Sequence, residues 1–167
     1  METNFNNYLE SLKGKVIKVD RGGPESRVGK LLDVQSDYII LLTKEDGVLY
    51  YKTQHIKSIT ENVKESIGFD YEVADDFSYP TAENFTDLLG QLKYNWVHIN
   101  RGGPEKIEGV LNDITNEVLV LVIDSEVIRL SSFHVRNISN RNKPEPIKKS
   151  KEEASEKEKE KKQEKEE

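Results

Sequence analysis

Residues 12–60 read LKGKVIKVDRGGPESRVGKLLDVQSDYIILLTKEDGVLYYKTQHIKSIT, and residues 92–139 read LKYNWVHINRGGPEKIEGVLNDITNEVLVLVIDSEVIRLSSFHVRNIS. An offset of 80 places the first Arg-Gly-Gly-Pro-Glu motif on the second. One residue is then lost, and an offset of 79 places His55 on His134. Self-similarity at a fixed offset is the signature of an internal repeat. The chain therefore contains a duplicated module of about 60 residues.

Each copy of the module is predicted to form one short helix followed by five short strands. Apolar residues recur at helical spacing at the start of both copies, with Thr3 and Thr81 as the predicted N-caps: Phe5, Tyr8, Leu9 and Leu12, then Phe85, Leu88, Leu89 and Leu92. The predicted strands of copy one are 16–19, 31–34, 38–42, 48–51 and 56–59. The third strand of each copy, 38–42 or 118–123, is apolar on both faces, which places it at the centre of its sheet.

Five strands behind a helix indicate a mostly β fold, namely tandem duplicated small SH3-like or Sm-like barrels, each with a short N-terminal helix. Closure of a small sheet removes its exposed edges. Gly29 and Gly109 would allow the sharp bend that such a barrel needs. The predicted domains are barrel copy one at 3–60, an acidic linker at 61–80, barrel copy two at 81–140, and a Lys/Glu-rich tail at 141–167. The tail is expected to be disordered or helical, since it has little apolar surface to bury.

The composition excludes several classes of protein. The 167 residues include no cysteine, so a disulfide scaffold and Cys-based zinc sites are excluded. No apolar run approaches the length of a membrane-spanning helix, and the first residues lack the pattern of a signal peptide, so we expect synthesis in the cytosol and no membrane contact. Residues 141–167 hold ten basic and nine acidic residues, which leaves 15 basic and 22 acidic residues in 1–140. This acidic body disfavours nucleic acid as a partner.

The repeated glycine-rich loops are the candidate interaction residues: Arg21, Gly22, Gly23, Pro24 and Glu25, then Arg101, Gly102, Gly103, Pro104 and Glu105. A phosphate-binding loop would require a helix after the glycines and a lysine beside a hydroxyl residue. Here a strand follows in both copies, and a glutamate occupies the place of the anion. The pattern favours a structural hairpin, with an Arg21–Glu25 contact and a partner-binding loop as further interpretations.

The residues that most resemble catalytic groups lack the companions that catalysis needs. His55 and His134 recur before the last strand of each copy, but neither has further ligands at the spacing of a metal site. Ser131 and Ser132 stand near His134, yet copy one has Lys52 and Thr53 at those places. We therefore expect no catalytic residue, no bound metal, no cofactor and no enzymatic activity.

A barrel of 60 residues has a thin core and is marginally stable on its own. This favours packing of the two copies edge to edge or face to face, and further oligomerisation through free strand edges. The expected partners are other copies of the chain and other proteins. The aromatic residues Tyr50, Tyr51 and Trp96 lie within apolar strands, which favours core or subunit contacts over stacking on bases.

The repeated block resembles the N-terminal duplicated region of the spore coat protein B family of endospore-forming bacilli. The residues that carry the resemblance are the loop Arg21–Ser26, Gly29–Leu32, Ser36–Ile39, the pair Tyr50-Tyr51 and the later His55–Ile59, together with Ala74–Phe77 between the copies. It covers residues 4–140. Long members of that family carry Ser- and Lys-rich C-terminal regions that are phosphorylated, whereas this tail has two serines, as in the shorter relatives.

The resemblance implies a structural component of the spore coat, made in the mother-cell cytoplasm, deposited in the outer layer and contacting other coat proteins. An Sm-like RNA-binding protein is the alternative, because the order of one helix and five strands is shared. The negative body and the lack of the Asp-x-hydrophobic-Asn loop and the Arg-Gly pair that Sm proteins use for uridines disfavour it.

Overall fold

The computed structural model describes residues 4–64, 67–140 and 142–147. The described residues divide into two compact units: the first holds 4–64, 67–70, 78–140 and 142–143, and the second holds 71–77 and 144–147. Both copies lie in the first unit. In the second, the Tyr71 hydroxyl donates to the Pro144 carbonyl, and the N–H of Ile147 donates to the Glu72 carbonyl over 2.8 Å. Of the predicted tail, all but 142–147 lies outside the described residues.

The two copies contain the same elements in the same order. Copy one comprises α1 (Phe5–Glu10), β1 (Val16–Val19), β2 (Arg27–Val34), β3 (Tyr38–Thr43), β4 (Gly47–Lys52), a 3₁₀ turn (Thr53–His55) and β5 (Ile59–Thr60). Copy two comprises α2 (Phe85–Leu92), β6 (Trp96–Ile99), β7 (Ile107–Ile114), β8 (Val118–Ile123), β9 (Glu126–Ser131), a 3₁₀ turn (Ser132–His134) and β10 (Asn137–Ser139). The predicted strands are present, with second strands four residues longer at their start and last strands shifted toward the C-terminus.

All ten strands belong to one antiparallel sheet in the order β5-β1-β2-β3-β4-β10-β6-β7-β8-β9. The prediction of a mostly β chain is therefore confirmed, whereas the predicted tandem barrels are not, because the sheet is open. In each copy the fifth strand pairs with the first strand of the same copy, and it does not pair with the fourth strand of that copy. The edge of β4, which closure of a barrel would have covered, pairs with β10 of the other copy.

Each helix begins directly after an asparagine, which is its N-cap in place of the predicted threonine. Asn4 accepts the N–H of Asn6 over 3.2 Å, and Asn84 accepts the N–H of Asp87 over 2.9 Å. Asparagine is among the best N-cap residues, because its side-chain oxygen satisfies an N–H that the helix leaves unpaired. Thr81 instead accepts a hydrogen bond from the amide of Gln35, and Thr3 lies outside the described residues.

The two glycines in the second strands stand where the neighbouring strand comes too close for a side chain. A Cβ on Gly29 would lie 2.5 Å from the Leu42 carbonyl oxygen, and one on Gly109 would lie 2.8 Å from that of Val122. A register shift follows in both strands, between Leu31 and Asp33 and at the equivalent place in copy two. Such a bulge bends and twists its strand, so both glycines serve local curvature without closing a barrel.

Copy one has its own apolar core between the helix and one face of its strands. Its buried members are Leu9, Leu12, Ile17, Val19, Leu31, Val34, Ile39, Leu41, Leu49 and Tyr51. The third strands, however, differ between the copies: all six residues of β3 are buried, but only two of the six in β8 are. The second face of β3 is therefore covered by something that β8 lacks, and the cover comes from copy two.

Candidate functional site

The two copies meet in an extended contact that we call the joint. Copy one contributes β3, β4 and the loop 20–27. The other side consists of residues 79–85, where the linker runs into copy two, the loop 100–103, and residues 132–140 and 142–143. In β4, Tyr51 lies opposite Asn137 and Tyr50 lies opposite Ile138. The pairing continues beyond β10, where the N–H of Val48 donates to the Asn142 carbonyl over 3.0 Å. Main-chain hydrogen bonds of this kind are how a free strand edge takes up a partner.

The first residue of α2 anchors copy two on the face of copy one. The Phe85 side chain is 2% exposed, and its ring centroid lies 5.8 Å from that of Tyr38 in an edge-to-face arrangement. The Lys52 ammonium lies 5.1 Å from the centre of the same ring. Desolvation by this cover lowers the pKa of Lys52, against the nearby charge of Asp37, which raises it. An aromatic anchor in a water-excluded pocket is typical of a stable interface.

The segment 79–84 is fixed to the same face by polar contacts. The Tyr38 hydroxyl donates to the Ala82 carbonyl over 2.6 Å, and the Ser36 hydroxyl donates to that of Glu83 over 2.7 Å. The Asp37 carboxylate accepts the N–H of Phe85 over 2.8 Å. These contacts satisfy backbone groups that the joint removes from water, so the segment is an integral part of the joint.

The two Arg-Gly-Gly-Pro-Glu loops meet at the joint through opposite halves. Gly102, with φ of +91°, lies against the Pro24 carbonyl, and a Cβ built on Gly103 would lie 2.9 Å from the Glu25 carboxylate. Glu25 also forms an ion pair with Arg136, in place of the predicted Arg21–Glu25 contact. The copy-one loop thus contributes its Pro-Glu half, and the copy-two loop contributes its Arg-Gly-Gly half.

Asp46 links the two loops electrostatically. Its carboxylate is 6% exposed and accepts from Arg27 over 2.6 Å and from Arg101 over 3.1 Å. A buried carboxylate needs such partners, because an unpaired charge away from water is costly. In the sequence, Asp46-Gly47 has the pattern of a hairpin turn. That pattern does not predict that the Asp46 carboxylate pairs with Arg27 and Arg101. Asp46, Phe85 and Arg136 are the interface residues that sequence reasoning missed.

The remaining halves of both loops are exposed. Arg21, Gly22 and Gly23 are exposed in copy one, as are Pro104 and Glu105 in copy two. No heavy atom outside the adjacent residues lies within 4 Å of a Cβ built on Gly22 or Gly23. The structure therefore brings five of the ten candidate residues into contact: Pro24, Glu25, Arg101, Gly102 and Gly103. Pro104 and Glu105 are exposed but line a cavity together with Glu25 and Arg136.

Asp20 and Asn100 attach the last strand of each copy to the first. Both adopt positive φ, of +56° and +54°. The Asp20 carboxylate accepts the N–H of Lys57 over 2.8 Å, and the Asn100 amide oxygen accepts that of Arg136 over 2.8 Å. Short polar side chains tolerate this backbone conformation better than others. The residue before each glycine-rich loop therefore fixes the last strand of its own copy, and in copy two that strand, β10, pairs across the joint.

His55 has a structural position in the joint. Its Nε2 donates to the Phe133 carbonyl over 2.9 Å, and the two rings meet edge to face at 5.9 Å. Desolvation lowers the pKa of His55 below its ordinary value of 6.5, although the hydrogen bond to Phe133 raises it. The positive groups facing it, Lys52, Arg136 and His134, lower its pKa further. His55 is thus placed to contact copy two in its neutral form.

Acid should weaken this contact. The unfolded chain binds a proton at His55 near pH 6.5, whereas the folded chain resists protonation until a lower pH, so stability is lost as the pH falls below 6.5. Urea midpoints measured at pH 7 and pH 5 should therefore fall further for the wild-type chain than for His55→Gln. An equal fall in the two chains would contradict the assignment.

The other histidine and carboxylate positions do not converge. His98 pairs with Glu108 over 2.9 Å, while Asp33 and Asp113 pair with Lys13 and Lys93 of their own copies. Within 4–64, 67–140 and 142–147, no three His, Asp or Glu residues form a group that could hold a metal ion. The helices in this part of the chain are also too short and too polar to cross a membrane.

Two comparisons with known proteins found similar sequences. Residues 4–59 match the family model described as the YwrJ third domain. The chain is 36% identical over 136 residues to Spore coat protein B of Bacillus subtilis (strain 168), an alignment that covers 81% of this chain and 35% of that protein. The chain thus spans about a third of the length of that relative, and no solved structure matches. The predicted resemblance is confirmed, and the chain is a relative of spore coat protein B.

Proposed function

We propose that the chain is a structural component of the bacterial spore coat that acts through protein–protein assembly. The observation that carries this proposal is the 36% identity to Spore coat protein B over 136 residues. The joint supports it, because the module associates edge to edge through β4 and β10 and through an aromatic anchor. A module that already binds its own duplicate in this way is suited to assembly into a protein layer.

A non-enzymatic role accords with the chemistry of the side chains. His55 contacts the Phe133 carbonyl, and Asp46 is held between two arginines, so two of the polar groups nearest to the joint have structural partners. The His134 ring is exposed and contacts the ring of Phe133 edge to face. None of these three side chains stands beside a partner as a nucleophile stands beside its base.

The proposed location is the outer layer of the coat, after synthesis in the mother-cell cytoplasm. The proposed partners are other coat proteins and further copies of the chain. Nucleic acid is disfavoured as a partner, because the repeated region carries a net negative charge. The relatives found give no support to the Sm-like RNA-binding alternative.

Purified mature spores provide the test. We expect mass spectrometry of coat extracts to detect the chain in spores and not in vegetative cells, and spores from a deletion strain to serve as the control. A fluorescent fusion should appear in the mother cell during sporulation and then encircle the developing spore. A chain that stays diffuse in the mother cell, and that is absent from washed coats, would refute the proposal.

A further inference from the structure

The two outer strands of the sheet are the repeat counterparts of the two strands that pair at the joint. Among the described residues, β9 and β5 each have a hydrogen-bonded neighbour on one side only. By the internal repeat, β9 corresponds to β4, and β5 corresponds to β10. We infer that β9 of one chain pairs with β5 of a second copy of the chain, in a head-to-tail contact that reproduces the joint between chains.

The groove that Phe85 fills in copy one is open in copy two. The residues equivalent to Tyr38 and Lys52 are Val118 and Ser131, and they line a groove together with Asn116, Glu117, Arg129, Leu130 and Phe133. Beside it, the Phe133 side chain is 66% exposed. In copy one the corresponding surface is covered by residues 79–85, which precede and begin α2. Copy two therefore has a groove at the position equivalent to that in copy one, but this groove is not covered.

The side chain that would fill this groove is exposed at the other end of the chain. Phe5 is the counterpart of Phe85 and is 42% exposed, whereas Phe85 is 2% exposed. Tyr8, the counterpart of the buried Leu88, is 44% exposed. Large apolar side chains that are exposed in one copy and buried at the equivalent place in the other indicate an interaction surface. A second copy that docks β5 on β9 would bring its Phe5 to the open groove.

The burial of the fourth strands shows the same asymmetry. Five of the six residues of β4 are buried, whereas none of the six in β9 is. Val48 is fully buried, and its counterpart Val127 is 52% exposed. A free edge of this kind exposes a row of backbone hydrogen-bonding groups that another strand can pair with. The same strand of the module is thus an interior strand in copy one and an uncovered edge in copy two.

One charge pair of the joint has counterparts of opposite charge on the two free surfaces. At the joint, Glu25 of copy one pairs with Arg136 of copy two. The corresponding residues on the free surfaces are Glu105 and Lys57, which are both exposed. Between chains, Glu105 would therefore meet Lys57 of the next copy, again an acid with a base. Such complementarity sets the register of an interface and rejects wrong partners.

The exposed halves of the glycine-rich loops acquire a role in the same arrangement. Gly102 lies against Pro24 at the joint, and the corresponding pair between chains is Gly22 of the next copy against Pro104. Each loop would then use its Arg-Gly-Gly half toward one neighbour and its Pro-Glu half toward the other.

This inference deepens the proposed assembly role and rests on that proposal for its biological meaning. The contact between chains should be weaker than the joint. Tyr50 corresponds to Arg129, and the turn of copy two has Ser125 in the place of Asp46, the carboxylate that links both loops. A head-to-tail contact uses two different surfaces, so it continues into a ring or a filament. We therefore expect reversible assembly that depends on protein concentration.

Charge reversal at the inferred contact provides the first test. Sedimentation velocity of the full chain over a range of concentrations should show assembly of the wild type, and Glu105→Lys or Lys57→Glu should each weaken it about tenfold. An equimolar mixture of E105K and K57E should assemble again, because each free surface then meets its complement. The double variant K57E/E105K should likewise recover. A two-fold contact between identical edges would not be restored by mixing.

Removal of one edge N–H provides the second test. At the joint the N–H of Lys52 donates to the Arg136 carbonyl over 2.9 Å, and Ser131 is the counterpart of Lys52. Ser131 has φ of −60°, which proline adopts without strain. Ser131→Pro should keep the circular dichroism spectrum of the folded chain and lose assembly, whereas the matched variant Ser131→Ala should retain both.

Two results would overturn the inference: a wild-type chain that stays monomeric at several hundred micromolar, or assembly that neither the charge reversals nor Ser131→Pro alters. Its failure can be distinguished from failure of the proposed function. If a non-assembling E105K variant reaches the spore coat as well as the wild-type chain does, the location in the coat does not depend on this contact. A chain that assembles head to tail but is absent from coats would contradict the proposed function alone.

Discussion

Phe85→Ala is expected to lower the free energy of unfolding by about 3–5 kcal/mol, which is the usual cost of deleting a buried phenylalanine ring. The ring is 2% exposed and packs on Tyr38 and under the Lys52 ammonium. Its removal leaves a cavity between the copies, and it also uncovers the face of β3, which is buried on both sides. Urea denaturation followed by circular dichroism measures the loss.

Phe5→Ala is the matched control for this prediction, because Phe5 occupies the same position in copy one. Its side chain is 42% exposed, so its truncation should cost about 1 kcal/mol or less, as is usual for surface substitutions. Both variants should be measured at low micromolar concentration, where assembly contributes little. Equal losses in the two variants would mean that Phe85 does not anchor the joint. At high concentration Phe5→Ala should additionally weaken the inferred contact between chains.

The duplication and the identity of the elements could be predicted from the sequence, because both depend on local patterns. The motif Arg-Gly-Gly-Pro-Glu and the alternation of apolar residues fix the repeat, the two helices and most of the strands. The bends at Gly29 and Gly109 were also predictable, since glycine in a strand indicates a bulge or a close approach of another strand. These features require no knowledge of how the two copies meet.

The pairing of strands between copies could not be predicted in this way. The choice between a closed barrel and an open sheet depends on whether β4 pairs with β5 or with β10, and the two candidates have similar sequences, KSIT and RNIS over residues 57–60 and 136–139. The sequence also predicts the same environment for β3 and β8, because both are apolar on both faces. Only β3 is fully buried, since its cover comes from residues 79–85, where the linker runs into the other copy.

The residues of the joint were hidden for a related reason. Glu25 and Arg136 are 111 positions apart, and no periodicity connects residues at such a separation. Asp46 reads as part of a hairpin turn, and its second role follows only when Arg27 and Arg101 come within reach. The sequence singles out the repeated loops as candidate interaction residues, but which half of each loop lies at the joint depends on the strand order.

Gly102→Ala tests that division most directly, and we expect it to lower the free energy of unfolding by about 3 kcal/mol or more. Two effects combine here. The backbone of Gly102 has φ of +91°, a conformation that costs a residue with a side chain about 1–3 kcal/mol. A Cβ at this place would also overlap the Pro24 carbonyl and lie 2.7 Å from the Arg27 guanidinium. The backbone of one loop would have to move, which disturbs the bridge from Asp46 to Arg27 and Arg101.

Gly22→Ala changes the same residue of the same motif in the other copy, and here the expectation is the reverse. A Cβ on Gly22 meets no heavy atom within 4 Å outside the adjacent residues, and its φ lies outside the positive range. The free energy of unfolding at low concentration should therefore change by about 0.5 kcal/mol or less, as at other open surface positions. The two alanine variants thus separate the loop that is engaged from the loop that is free. If the contact between chains repeats the joint, Gly22→Ala should leave the monomer intact and weaken assembly, because Gly22 then takes the place of Gly102 against Pro104 of its neighbour.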